Sequence, residues 1–322
     1  MRPLRTAVDR YLELRRKLGF DLSIPGRLLQ RFANFAECNR ATFVTTDLVL
    51  RWADTFRGVL PSTVARAVSV VRRFAVWQAG YDTRTQVPPD GLITAKYQRR
   101  RPFIHSDDQV LALVSTAARM PSTTGIRGPT YSTFFGLVAV TGLRMNEAVK
   151  LDRHDVNLVD GVLIIRRAKF GKTRLIPLHP TTTRALERYA QQRDKILGQQ
   201  GAPAFFVSDA GRRITEWSAR YQFAQLSQRL GHRPSNRNLA RRHRYRHGRG
   251  PRLHDLRHRF AALTLLDWYR AGVDVEREIQ KLVTYLGHVK IEQTYWYIEA
   301  VPELLQLATK RVATGWKVEA AT

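Results

Sequence analysis

Residues 141–147 read Thr141-Gly142-Leu143-Arg144-Met145-Asn146-Glu147, and this short stretch decides how the larger part of the chain is read. An apolar helical run, 130–140, ends at Gly142, and a second helix, 144–151, opens with Arg144 in its first turn. Arg144 and Glu147 stand three apart, hence on one helical face, where a surface ion pair is the plain reading. Further polar stretches lie outward from here. Ala168-Lys169-Phe170-Gly171-Lys172-Thr173-Arg174-Leu175-Ile176-Pro177-Leu178 follows the apolar run Val162-Leu163-Ile164-Ile165, with the tight-turn pair Asp160-Gly161 ahead of it. That is a hairpin with its turn at 169–172. Leu253-His254-Asp255-Leu256-Arg257-His258 puts His254 and Arg257 on one helical face. Leu286-Gly287-His288 is followed by Tyr295 and Tyr297, seven and nine residues on from the histidine. Each fragment alone is ordinary.

The rest of the chain supplies two kinds of surroundings. Before residue 85, apolar positions recur at helical spacing. Val8, Tyr11, Leu12, Leu14 and Leu18 lead to Gly19; Leu28, Leu29, Phe32 and Phe35 form a second stripe; Leu48, Leu50, Trp52 and Phe56 follow a Thr46-Asp47 cap. Pro61 opens a fourth helix with Val64, Val68, Val71, Phe74 and Ala75, which ends by Gly80. This predicts an all-α bundle over 1–85 with Arg72 and Arg73 on its outer face. Residues 86–105 read as a basic linker, punctuated by Pro88, Pro89 and Gly91 and carrying Arg99, Arg100 and Arg101. It is either a solvated connector or an arm along a phosphate backbone. From the Ser106 cap to residue 322 a mainly α domain with a small β-sheet is expected. Its further helices fit 107–119, 181–197, 215–230, 254–271, 275–285 and 302–314.

Charge narrows the function. The chain has 322 residues, 54 Lys and Arg against 27 Asp and Glu, and a formal charge of +27. Residues 1–95 hold 15 basic and 8 acidic side chains, so both parts are basic and the excess is not a tail. A field of that sign suits a polyanion, nucleic acid first. Residues 232–252 carry eight arginines, three histidines and no acidic residue, which predicts a nucleic-acid-facing loop including Arg241, Arg242 and Arg244. The single cysteine, Cys38, excludes an internal disulfide and any Cys-based zinc site. His243 and His247, or His254 and His258, have helical zinc spacing but lack a zinc-protease glutamate or a cysteine partner. The longest apolar run, Phe134–Val140, is too short for a bilayer, and MRPLRTAVDR lacks a signal peptide's apolar stretch. A cytoplasmic, nucleoid-associated protein without membrane contact, cofactor or metal is expected.

Taken in order, Arg144, Lys169, His254-x-x-Arg257, Leu286-Gly287-His288 and then a tyrosine form a set that resembles the catalytic domain of the tyrosine recombinase, or phage integrase, family. The resemblance covers about residues 103–315, and the preceding bundle is similar to that family's core-binding domain. It implies that Arg144 and Arg257 clamp a DNA phosphate, with Glu147 holding the first. Lys169 is implied as general acid toward the 5′ oxygen, Lys172 being the competing choice. His254 would accept or relay the tyrosine proton, and His288 would bond the phosphate. Two residues apart on a helix is about 200° of rotation, so Tyr295 and Tyr297 cannot both face one site. The family spacing selects Tyr297 as nucleophile and leaves Tyr295 and Trp296 as packing residues.

The chemistry accounts for the residue types. A phenol exchanging one phosphodiester for another needs no ATP, but its ordinary pKa of about 10 means it needs help losing its proton. Paired guanidiniums match the forked geometry of a phosphate. The resemblance implies a site-specific recombinase or mobile-element integrase that forms a 3′-phosphotyrosine. Its partners would be duplex DNA bearing a specific site and three further copies in a tetramer on two sites, with a monomer free in solution. Arg72, Arg73, Arg99, Arg100, Arg101, Lys172, Arg174, Arg241, Arg242 and Arg244 are expected to contact DNA. A type IB topoisomerase-like enzyme and a non-catalytic DNA-binding accessory protein are the alternatives. Pro302–Val312, with Leu304, Leu305, Leu307 and Ala308, reads as a helix docking on a neighbouring protomer or on its own domain.

Overall fold

The computed structural model describes residues 4–95, 100–166, 173–198, 202–233, 250–288 and 290–319. The chain divides into two compact units, Met1–Arg100 and Arg101–Thr322. Among the described residues the protein is mostly helical, with one small antiparallel sheet.

Among its described residues the first unit has four helices: α1 (Leu4–Lys17), α2 (Ser23–Cys38), α3 (Thr46–Asp54) and α4 (Pro61–Ala79). Val8, Tyr11 and Leu12 of α1 bury against Phe32 and Ala33 of α2 and Val71 and Phe74 of α4. Trp52 of α3 sits edge-on to Phe32 at 5.3 Å. The α3 cap is Thr45, whose side chain accepts from the Leu48 N–H, one residue earlier than the sequence suggests. Leu14, Leu18 and Leu50 fall outside the core and are exposed.

Both ends of the expected linker are tied down. The Gln86 N–H donates to the Val44 carbonyl, Arg72 Nε donates to the Pro88 carbonyl, and Leu92 and Ile93 pack on the bundle. At the other end, in the second unit, Arg259 Nε donates to the His105 carbonyl, and Ile104 packs on a core cluster.

The second unit begins at α5 (Asp107–Ala118), where Ser106 and Gln109 form a reciprocal capping box. There follow α6 (Arg127–Thr141), α7 (Met145–Lys150) and a 3-10 turn, then β1 (Val156–Asn157), β2 (Val162–Ile165) and β3 (Arg174–Pro177) in the order 1-2-3. Leu163 pairs with Ile176, and both are buried. Arg174 lies two residues before Ile176, so the pleat turns it to the inner face while Leu175 faces solvent. The helices α8 (Pro180–Leu197), α9 (Glu216–Arg229), α10 (His254–Arg270), α11 (Val275–Leu286), α12 (Glu292–Ala300) and α13 (Pro302–Glu319) complete it. Strand β1 is absent from the sequence-based expectation, and helix α12 enters it only as the helix that carries Tyr295 and Tyr297, without bounds. Two residues are too few to show a strand period, and α12 mixes aromatic and polar residues without a clear stripe.

Two apolar clusters meet along α10. Its first turns contribute Leu256 to a core built on Phe134, Phe135, Leu163, Ile176 and Phe223. Its later turns contribute Ala261, Ala262, Leu265 and Leu266 to a second core with Leu282, Leu286, Tyr297 and Leu304. Leu304 and Leu307 therefore dock α13 on its own unit, while Leu305 stays exposed. Between the two clusters α10 buries Asp255, Arg257, His258 and Arg259, a costly polar run that marks this helix as more than scaffold.

His105 is also buried, and neither ring nitrogen has a hydrogen-bond partner among the described residues. Burial, opposed by Asp255 and reinforced by His232 and Arg259, lowers its pKa to about 4. A depressed histidine penalises the fold as pH falls below the unfolded value of about 6.5, and the penalty is complete below the folded value. Thermal melts should show the wild type losing up to about 3 kcal/mol between those limits that His105→Phe does not lose. Parallel pH profiles for the two proteins would contradict this.

Candidate active site

Helix α11 ends at Gly287, which caps it in the left-handed region at φ +65°. The last carbonyls of a helix lack partners within it and carry the negative end of its dipole. Here three consecutive ones are taken by three arginines. Arg174 Nε donates to the Tyr285 oxygen at 3.0 Å, Arg257 Nη2 to Leu286 at 2.7 Å, and Arg144 Nη2 to Gly287 at 2.6 Å. The guanidiniums come from β3, α10 and the start of α7, so one helix terminus gathers groups far apart in sequence. A Cβ on residue 287 would stand 3.0 Å from Arg174 Nη1 and 3.2 Å from Arg144 Nη1, so glycine lets the cluster close.

Glu147 supplies the carboxylate. Its Oε1 accepts from Arg144 Nη1 and Arg174 Nη1, both at 3.0 Å, and its Oε2 accepts from Arg174 Nη2 at 2.8 Å. Burial alone would raise its pKa, but Arg174 and then Arg144 outweigh that and hold it below the ordinary carboxylate range. Arg257 is almost wholly buried, at 1% exposure, and also donates through Nη1 to the Gly142 oxygen at 2.7 Å. Burial and the repulsion of Arg144 bring its pKa down to about 10, against the pull of Tyr297 and Glu147, so it stays charged at neutral pH. Gly142 itself is left-handed (φ +61°), and a Cβ there would meet Phe260 at 2.5 Å.

The phenol lies beside this cluster. Tyr297 is 1% exposed, and its Oη is 3.0 Å from His258 Nδ1. The His288 ring lies nearly parallel to it, with centroids 6.4 Å apart, and His288 Nδ1 shares a 2.7 Å hydrogen bond with Thr294 Oγ1. Tyr295 is 39% exposed on the other side of α12, so it is not the packing residue the sequence suggests, whereas Trp296 is packed. The His254 ring stands edge-on to His258 at 4.6 Å. Surrounding protein first, then His258, Arg257 and Arg252, push its pKa below the imidazole range. Its outer edge meets solvent, which softens the burial contribution, while the neighbouring cations keep the direction.

The structure thus brings together Arg144, Glu147, Arg257, His254, His288 and Tyr297. Lys169, Lys172, Arg99, Arg241, Arg242 and Arg244 lie outside the described residues. Arg73, Arg100 and Arg101 are exposed; Arg72 is half-buried on Pro88. Arg174, expected at DNA, is turned inward on Glu147 and the α11 terminus. Sequence reasoning also passed over His258 as a partner of the phenol. The i, i+4 relation to His254 was visible; the contact with α12 was not.

Residues 105–303 match the phage integrase family. The chain belongs to that family. This phage integrase family protein is 40% identical over 321 residues to a Sinorhizobium fredii protein named as an integrase/recombinase, covering 98% of this chain and 99% of the relative. It is 31% identical over 262 residues to the tyrosine recombinase XerD of Ralstonia nicotianae, covering 81% and 76%. Its fold is similar to that of the Tn1549 transposon integrase solved with transposon right end DNA, at TM-score 0.63 and 15% identity over 95% of this chain and 99% of that one. The family consists of DNA strand transferases, and among its described residues no helix is long and apolar enough to cross a membrane.

Arg174 offers a direct check on the integrase site. Arg174→Ala would strip a buried carboxylate of one of its two cations and should cost about 3 kcal/mol in denaturant unfolding. An exposed DNA contact would change stability by less than about 0.5 kcal/mol.

Proposed function

We propose that the protein is a site-specific DNA recombinase that cleaves and rejoins duplex DNA through a 3′-phosphotyrosine at Tyr297. The observation that supports this most is the pairing of Arg144 and Arg257 on adjacent carbonyls, with the Tyr297 phenol beside Arg257. A guanidinium has five N–H donors in a fixed fork, so each arginine anchored through part of its fork keeps donors for another acceptor. Two such forks aimed at one phosphate would stabilise the crowded, negative transition state, which is usually the largest single contribution to rate.

In this reading Tyr297 Oη forms a bond to the scissile phosphorus as the bond to the 5′ oxygen breaks, and Lys169 protonates the leaving oxygen. His288 donates to a non-bridging oxygen, His254 supports proton movement at the phenol through its contact with His258, and Glu147 orients Arg144. Guanidinium and ammonium charge do the work that a metal ion could do, so none is required. The reverse attack, by a 5′-hydroxyl from a partner duplex, completes exchange. Two DNA sites and four protomers would be engaged, with the helical first unit and the second unit both touching the duplex. The names of the relatives and the transposon-end complex of a fold neighbour favour integration or excision of a mobile element. The site of action would then be the nucleoid.

Nicked suicide duplexes made from DNA flanking the gene would trap the covalent adduct. Wild type and Tyr295→Phe should accumulate it, Tyr297→Phe should give none, and Arg144→Ala or Arg257→Ala should slow it about 10²–10³-fold. Adduct formation by Tyr297→Phe, with loss in Tyr295→Phe, would contradict the assignment. DNA affinity should also fall steeply with salt, as expected for many phosphate contacts.

A further inference from the structure

We infer that His258 is a catalytic residue, the base that takes the proton from Tyr297; this rests on the reading of Tyr297 as nucleophile. His258 and Arg257 are consecutive on α10 and both bear on the same phenol. Nδ1 of His258 is 3.0 Å from Oη, and the charge of Arg257 acts on Tyr297. His258 is 5% exposed, so its hydrogen bond forms away from competing water. Its ring is braced by His254 at 4.6 Å and Trp296 at 5.4 Å, which fixes the direction of Nδ1. The residue implied by family resemblance for this proton, His254, instead meets His258 edge to face.

A phenol can donate and a neutral imidazole nitrogen can accept, so a base at this position is the tautomer with its proton on Nε2, taking the O–H of Tyr297 at an unprotonated Nδ1. As Tyr297 Oη bonds to phosphorus, its proton passes to His258 Nδ1, giving an imidazolium. The P–O5′ bond breaks with its electron pair on the leaving oxygen, which takes a proton from the general acid. In the rejoining step the imidazolium returns the proton to Oη. Among the described residues, the titratable groups that meet His258 include His254 on its own helix and Tyr297 on α12, with His288 beyond the phenol ring and Arg257 adjacent in the chain.

The test uses the full chain and suicide duplexes in two forms, with an ordinary scissile phosphate and with a 5′-bridging sulfur, whose departure needs no acid. His258→Gln, which keeps an amide able to hydrogen-bond but cannot take a proton at neutral pH, should slow adduct formation about 10²-fold or more on both substrates. Its rate should keep climbing with pH toward the phenol's own range, near 10. DNA binding by gel shift and the melting temperature should stay close to wild type. Wild-type or faster cleavage by His258→Gln, or a defect cured by the sulfur substrate, would overturn the proposal. Independently of any folding defect in that variant, ¹⁵N spectra of histidine-labelled wild type against Tyr297→Phe should show an unprotonated, hydrogen-bonded Nδ1 at His258. A protonated Nδ1 donating to the phenol would overturn it as well. An adduct formed by Tyr297→Phe would sink the nucleophile assignment instead, which separates the two failures.

Discussion

The end of helix α11 holds the site together. Helix carbonyls that have run out of N–H partners need donors, and buried guanidiniums need acceptors; each requirement meets the other at Tyr285, Leu286 and Gly287. Because the three arginines come from a strand, a helix start and a buried helix, this one terminus fixes β3, α7 and α10 relative to one another. The two apolar clusters that meet along α10 then hold the terminus in place.

The charge arithmetic of the cluster is uneven. Three cations stand in the cluster with a single carboxylate, Glu147, which bonds Arg144 and Arg174, while the contacts described above give Arg257 two carbonyls. Dipoles steady a cation without cancelling it, and the pKa of Arg257 is lowered by its burial first and then by the repulsion of Arg144. A site built this way has an electrostatic deficit that a dianionic transition state would fill. That links packing to chemistry: the same bonds that make the fold cohere leave the cluster short of negative charge, as the proposed phosphate site requires.

Much of this could be read from the sequence. Helical stripes, the Asp160-Gly161 turn and the Gly142-x-Arg144 boundary each rest on local rules, and the structure follows them closely. Arg174 is the instructive case, because its anchoring inside the cluster was not part of the expectation. A basic strand beside a basic hairpin suggested a DNA contact, yet the two-residue period that buries Ile176 also turns Arg174 inward, a signal present in Arg174-Leu175-Ile176 itself. His258 is a different case. Its meeting with Tyr297 spans 39 residues and depends on how α12 packs against α10, which no local pattern encodes. The rotation between Tyr295 and Tyr297 said that only one could face inward, and packing decided which.

The central claim is that Arg144 and Arg257 form one phosphate-binding pocket beside Tyr297. A structure of Tyr297→Phe bound to its cognate duplex tests it most directly. The account predicts a backbone phosphate within about 3 Å of guanidinium nitrogens from both arginines, with the ring at position 297 against that same phosphate. DNA bound with Arg257 still sealed among its carbonyls, and the nearest phosphates held only by surface lysines and arginines elsewhere, would contradict it.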